Sequence, residues 1–219
     1  MKQLHVLIFA VIANSSFKSI AQDCETLNNF NSFHGIRFEY KIPDSLKSAF
    51  KEEVKYDSNP YKSYYLEYDA IVGNKDLSNK FQKWFVFGDE IFTKIYITCL
   101  LDDRVYQIML MNIYSSKDLF NNIDDSIEIV KKRLPPMFLN ANRQLKSLFG
   151  DPTRTNQDSD LFANYYENFW ECEKQNIELR LIYHNNITGA NPTGLLLITD
   201  LIFTNNKLAK IEKLDELQK

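Results

Sequence analysis

From residue 35 to 43 apolar and charged side chains alternate. Ile36, Phe38, Tyr40 and Ile42 point one way and Arg37, Glu39 and Lys41 the other, which predicts a half-buried strand ended by Pro43. The segment from Tyr61 to Val72 predicts a second strand. Tyr64, Leu66, Tyr68, Ala70 and Val72 share one side, and Tyr61, Tyr65 and Ile71 the other. Phe81, Phe85 and Phe87, then Ile91, Ile95, Ile97 and Cys99, then Val105, Met109, Met111 and Ile113 continue the period of two. Gly88-Asp89 and Asp102-Asp103 mark turns between these runs, so an antiparallel meander is expected.

The period then changes. Leu119, Ile123, Ile127, Val130 and Leu134 form a helical stripe, with Ser115 and Asp118 resembling a capping box and Pro135-Pro136 stopping it. Phe138, Ala141, Leu145, Leu148 and Phe149 predict a second helix, closed by Gly150 and Pro152. A polar loop follows. Strands are then expected from Tyr165 to Glu173, with Trp170 and Cys172 on one face and Phe169 on the other, and from Ile177 to Tyr183. The run "GLLLITDLIF", apolar on both faces, reads as a central strand. The final segment, "KLAKIEKLDELQK", suits a strand or a frayed helix. The order points to an α+β fold, a largely antiparallel sheet with two consecutive helices inserted between strand groups.

The N-terminus changes the picture of where the chain works. Lys2, the apolar run 4–13 and the small residues Ser19 and Ala21 follow the three-part pattern of an export signal. This predicts removal of residues 1–21, a single α+β domain over 22–219, and a secreted or periplasmic location. No later run is long and apolar enough to span a membrane as a helix. Export permits disulfides, and the three cysteines, Cys24, Cys99 and Cys172, allow one bond without indicating the pair.

Composition bounds the chemistry. A net charge of −3, with Lys131-Lys132-Arg133 as the densest basic cluster, excludes a nucleic-acid binder. Six glycines in 219 residues leave few sites for cradling a phosphate, and Gly189 to Gly194 has P-loop spacing but Leu195 where the lysine belongs. The mature chain keeps only His34 and His184, with no zinc-binding spacing. Asn156, Asp158, Asp160 and Glu167 match EF-hand positions, but Leu161 stands where the turn needs glycine, so no metal and no cofactor are expected. Asp89-Glu90 and Asp102-Asp103 are the carboxylate pairs that a glycoside hydrolase would need. Both fall in expected turns, where Asp serves local hydrogen bonding.

The remaining signal is aromatic. Tyr61, Tyr64, Tyr65 and Tyr68 crowd one strand. The more apolar set, with Tyr64 and Tyr68, is expected in the core. Tyr61 and Tyr65 then lie on an accessible face with Ser63 and Glu67, as candidate binding residues. The resulting expectation is an exported, non-catalytic binding protein whose ligand is a protein, a glycan or a small apolar molecule. The alternatives are a carboxylate-based envelope hydrolase and an inhibitor or immunity-type protein.

Overall fold

A computed structural model describes residues 23–53, 61–115, 136–159, 163–184 and 196–210. Its centre is an eight-stranded, wholly antiparallel sheet. The strands are β3 (Lys51–Glu53), β4 (Tyr61–Glu67), β7 (Lys94–Leu100), β8 (Val105–Ser115), β9 (Arg154–Ser159), β10 (Ala163–Glu171), β11 (Gln175–His184) and β12 (Leu196–Asn205). Their order is β3-β4-β7-β8-β12-β11-β10-β9. The chain thus builds two four-stranded halves whose last strands, β8 and β12, meet at the centre, and β3 and β9 form the two edges. The sheet-rich fold with a few helices agrees with the α+β expectation. Of the two expected helices, the second is present and the first (119–134) lies outside the described residues.

One face of the sheet is the core. Tyr64, Leu66, Ile95, Ile97, Ile108, Leu110, Leu179 and Leu201 point into it. The burial of β11 alternates without a break, matching the period of two in its sequence. The N-terminal segment, helices between β4 and β7, and a long helix cover this face. The long helix, α5 (Pro136–Phe149), buries Phe138, Ala141, Leu145 and Phe149 as their spacing predicts. Gly150, at φ 78°, closes it in the left-handed conformation and returns its N–H to the Lys146 carbonyl.

The N-terminal segment starts with α1 (Cys24–Asn29), capped by Asp23, whose side chain accepts from the Thr26 N–H at 2.9 Å. Cys24 is bonded to Cys172, just after β10, with the Cα atoms 5.6 Å apart, and Cys99 remains a buried free thiol. A hairpin of β1 (Ser32–Phe33) and β2 (Ile36–Arg37) follows, and then a short helix, α2 (Asp44–Lys47), that buries Leu46. The hairpin's two-residue turn, His34-Gly35, has φ 48° and 91°, and the second position suits glycine.

Several elements differ from the sequence expectation. The strand expected from Gly35 to Pro43 is reduced to β2 and a lone bridge from Lys41 to Arg104. Glu39, at φ 67°, turns the chain, so Phe38 and Ile42 stay buried while Tyr40 is 61 % exposed. Strand β4 ends at Glu67, and Tyr68–Val72 is a short helix, α3, which leaves Val72 exposed. Asn74 then caps a further helix, α4 (Lys75–Phe81), by accepting from the Asp76 and Leu77 N–H groups. A 3₁₀ turn (Gln82–Phe85) continues it where a strand is expected. Phe81 and Phe85 are four residues apart, a spacing that suits a helix as well as a strand. Only β5 (Val86–Phe87) and β6 (Glu90–Ile91) form the hairpin at Gly88-Asp89.

Candidate functional site

Strand β9 replaces the expected polar loop, and it reorganises the chemistry expected there. Asn156 and Glu167 stand directly opposite on β9 and β10, and the Asn156 amide donates to the Glu167 carboxylate at 2.9 Å. Their spacing of eleven residues is a hairpin register, with the two side chains satisfying each other. Asp160 and Leu161 lie outside the described residues.

The other side of the same hairpin, the core-face side of the sheet, carries a groove. It lies between α5 and the β9–β10 pair and has a volume of about 340 Å³. Phe138 contributes its apolar base, Asn142, Asn168, Thr155, Gln157 and Tyr166 supply amide and hydroxyl groups, and the bonded pair Asn156 and Glu167 borders it. Asn168 donates from Nδ2 to Asn142 Oδ1 at 3.1 Å, and Gln157 Nε2 donates to the Tyr166 hydroxyl at 2.8 Å. These bonds orient the side chains and, among the described residues, leave Asn142 Nδ2 and Asn168 Oδ1 for solvent or a ligand. The groove exists because α5 covers β10 and β11 while every residue of β9 is exposed. Sequence reasoning missed it. The available signal was Asn168, a polar residue at an inward position of a strand, two residues from the fully buried Trp170.

The outer face of the sheet carries the expected tyrosines. Tyr61 and Tyr65 are half-buried there, on the side opposite Tyr64 and Leu66. Tyr65 stacks on Tyr96 of β7, ring centroids 5.8 Å apart, and the Lys51 ammonium lies 5.7 Å from its ring centre. Tyr61 meets Tyr106 edge-on in a small cluster with Leu100 and Leu208. The two tyrosines therefore sit in different surroundings on one face. Tyr68 packs edge-on against Phe85 from α3, not from β4.

Next to the Tyr65–Tyr96 row runs a row of charge. Glu67, Lys94, Met111, Asp200, Arg180, Glu167 and Asn156 are successive register partners across seven strands. Lys94 pairs with Glu67 at 2.9 Å, and Arg180 with Asp200 at 2.8 Å. Asp200 is buried on this outer face, and burial raises its carboxyl pKa even with Arg180 beside it. Burial also raises Glu178, whose carboxylate lies 3.7 Å from Arg180 Nε. One guanidinium thus serves two desolvated carboxylates, with Glu167 opposite it on β10.

A carboxyl whose folded pKa is raised holds its proton more tightly in the folded state. Its contribution to stability is present below the ordinary carboxyl range near pH ~4 and is lost as pH rises through the raised value. Glu67 and Asp103 act oppositely: hydrogen bonds from Lys94 and from Lys47 hold them low, so their contribution is lost on strong acidification. Stability is therefore expected to peak near the ordinary carboxyl range, at pH ~4, and to fall as pH rises above it. Asp200→Asn is expected to flatten that fall. Urea midpoints between pH 5 and 8 check this, and an unchanged slope in the variant would place its origin elsewhere.

The carboxylate pairs that hydrolysis would need lie at hairpin turns, with Glu90 already the first residue of β6. Asp103 accepts from Lys47 at 2.7 Å and Lys62 at 3.0 Å, and Asp102 accepts from Arg104 Nε at 2.6 Å. Glu90 accepts from Asn140 at 2.6 Å, fastening the β5–β6 hairpin to α5. Neither pair borders the amide-lined groove or a second, polar depression of about 470 Å³ lined by Glu39, Glu173, Lys174, Lys207 and Lys210. His34 bonds the Val86 carbonyl through Nε2 at 3.0 Å, and His184 ends β11. The Cys99 thiol is pushed up to about 12 by burial, which makes it a poor nucleophile. No helix among the described residues is long and apolar enough to cross a membrane. Compared with known proteins, the chain matches no family model, no curated protein and no solved structure at a significant level.

Proposed function

We propose that the chain is an exported, non-catalytic binding protein and that the groove beside α5 takes a neutral, polyhydroxylated ligand, a glycan. The observation that carries this is the groove's lining of amides and hydroxyls, its one carboxylate, Glu167, already bonded by the Asn156 amide, with Asn142 Nδ2 and Asn168 Oδ1 unused among the described residues. An amide offers a donor and an acceptor side by side, which matches a sugar hydroxyl that both donates and accepts. A small apolar ligand calls for a predominantly apolar pocket, and a phosphorylated one for cationic groups. The Lys-apolar-small pattern at the N-terminus motivates the export reading. The Cys24–Cys172 bond supports it, because such bonds persist in oxidising compartments.

A panel of neutral oligosaccharides, followed by amide chemical shifts, tests the proposal. Binding is expected to perturb residues 155–157 and 166–168. Asn142→Ala and Asn168→Ala are each expected to weaken it roughly 5- to 100-fold, the range for losing a hydrogen bond to a desolvated polar group. Absence of binding at millimolar sugar, or binding indifferent to both substitutions, would reject the glycan.

A second reading rests on Tyr65. Its half-buried ring, stacked on Tyr96 beside Lys51, offers an amphipathic surface suited to a protein partner. In that reading Tyr61 and Tyr65 bind, and the double variant Tyr61→Ala/Tyr65→Ala stays folded yet loses the partner.

A further inference from the structure

Strand β9 is an edge strand of six residues, Arg-Thr-Asn-Gln-Asp-Ser, and every one is exposed. Among the described residues, nothing pairs with its outer edge. Such an edge offers a row of backbone donors and acceptors to another strand. Edges are commonly protected by proline, by a bulge, by short length or by charges of one sign. The opposite edge, β3, is only three residues long. Strand β9 has no proline and no glycine, and its charges are one of each sign.

The placement of those charges is self-complementary. In an antiparallel pair centred on Asn156, Asn156 faces itself, Thr155 faces Gln157, and Arg154 faces Asp158 twice. Arg154 and Asp158 are two strand steps either side of the centre, so they lie on the same face as Asn156 and as each other's partners. No like charges come opposite each other in this register. Arg154 lies over Phe169, 3.6 Å from its ring centre, and its Nη2 is 3.3 Å from Glu171. That stacking fixes the guanidinium plane at the rim of the sheet and leaves further N–H groups of the fork for a second carboxylate. Asp158 Oδ1 accepts the Ser159 N–H, and among the described residues Oδ2 is left for a partner.

We propose that β9 pairs antiparallel with β9 of a second copy about a two-fold axis at Asn156, joining the two sheets into one. This does not depend on the glycan reading: Thr155, Asn156 and Gln157 border both the groove and the strand pair, but the charges that carry the pairing, Arg154 and Asp158, do not line the groove. The contact is a single strand pair, well under the ~1,000 Å² of a stable interface, so association is expected to be weak and visible only at high protein concentration.

Sedimentation of the full mature chain up to millimolar concentration tests the proposal. Arg154→Asp and Asp158→Arg, each placing like charges opposite each other, are each expected to weaken dimerisation about tenfold, the effect of turning two cross-strand attractions into repulsions. The double variant Arg154→Asp/Asp158→Arg restores complementarity and is expected to recover the dimer. Asn156→Cys is expected to form an intermolecular disulfide under mild oxidation, and Thr155→Cys, which faces Gln157, is not. Thermal melts confirm that each variant is folded. A chain that stays monomeric at millimolar concentration would overturn the proposal. So would dimerisation unmoved by charge reversal, equal cross-linking at positions 155 and 156, or an edge filled only when a foreign extended peptide is added.

Discussion

Cys24→Ser/Cys172→Ser is expected to lower stability by about 3–5 kcal/mol. The bond joins residues 148 apart, so in the chain-entropy picture it removes about 5 kcal/mol of freedom from the unfolded chain, with measured values commonly ~2–4. Its native-state role is also specific. Helix α1 has six residues, too few to be stable alone, and only Leu27 is buried in it. Besides the disulfide, the Asp23 N–H bond to the Phe149 carbonyl and the Lys174 N–H bond to Asn28 hold this end of the molecule. Trp170, just before Cys172, is fully buried and donates from Nε1 to the Gly150 carbonyl at 2.9 Å, so the bond anchors α1 to a rigid point. Cys99 is buried and far above its ordinary pKa, so it does not exchange with the pair. Denaturant midpoints should fall, and amides of 24–30 should lose exchange protection first. A change below ~1 kcal/mol would show that the N-terminal segment is held by its apolar contacts alone.

Tyr64→Ala is expected to cost ~3–5 kcal/mol, while Tyr65→Ala, one residue on, costs ~1 kcal/mol. Tyr64 points into the core with Leu66 and Ile97, and truncation leaves a cavity on the buried face of the sheet. Tyr65 loses one stacking partner and part of an exposed surface, and water replaces the rest. Lys51 stands on β3 directly opposite Tyr65 and retains the Glu67 carboxylate, 3.9 Å away, so its charge is not stranded. Equilibrium unfolding of the two variants measures the difference. A larger loss at Tyr65 would mean that the outer face is the better packed one, and Tyr65 would lose its claim as a binding residue. The same experiment licenses the Tyr61→Ala/Tyr65→Ala variant for partner tests, because only a variant that stays folded can report on binding.

The sequence by itself determined the elements whose local pattern had one reading. The alternation of β11, the central place of the doubly apolar β12, the turns at Gly88-Asp89 and Asp102-Asp103, and α5 closed at Gly150 follow from side-chain period and backbone preference, which act within a few residues. Spacings that serve two periods were misread. Phe81 and Phe85 suit a helix as well as a strand, and Tyr68 to Val72 extended an alternation that the backbone gives up at Glu67. The tertiary structure alone decided which side chains from distant segments meet. It chose Cys24 for Cys172 and left Cys99 in the core. It set Arg180 beside Asp200, and it turned the Asn156–Glu167 spacing into a hydrogen-bonded pair of facing strands. It also brought Asn142 of a helix to Asn168 of a strand at the rim of a groove. The reason is physical. A residue's period is written in its neighbours, but its partner depends on sheet order and register, which are fixed only when the whole apolar face is buried at once.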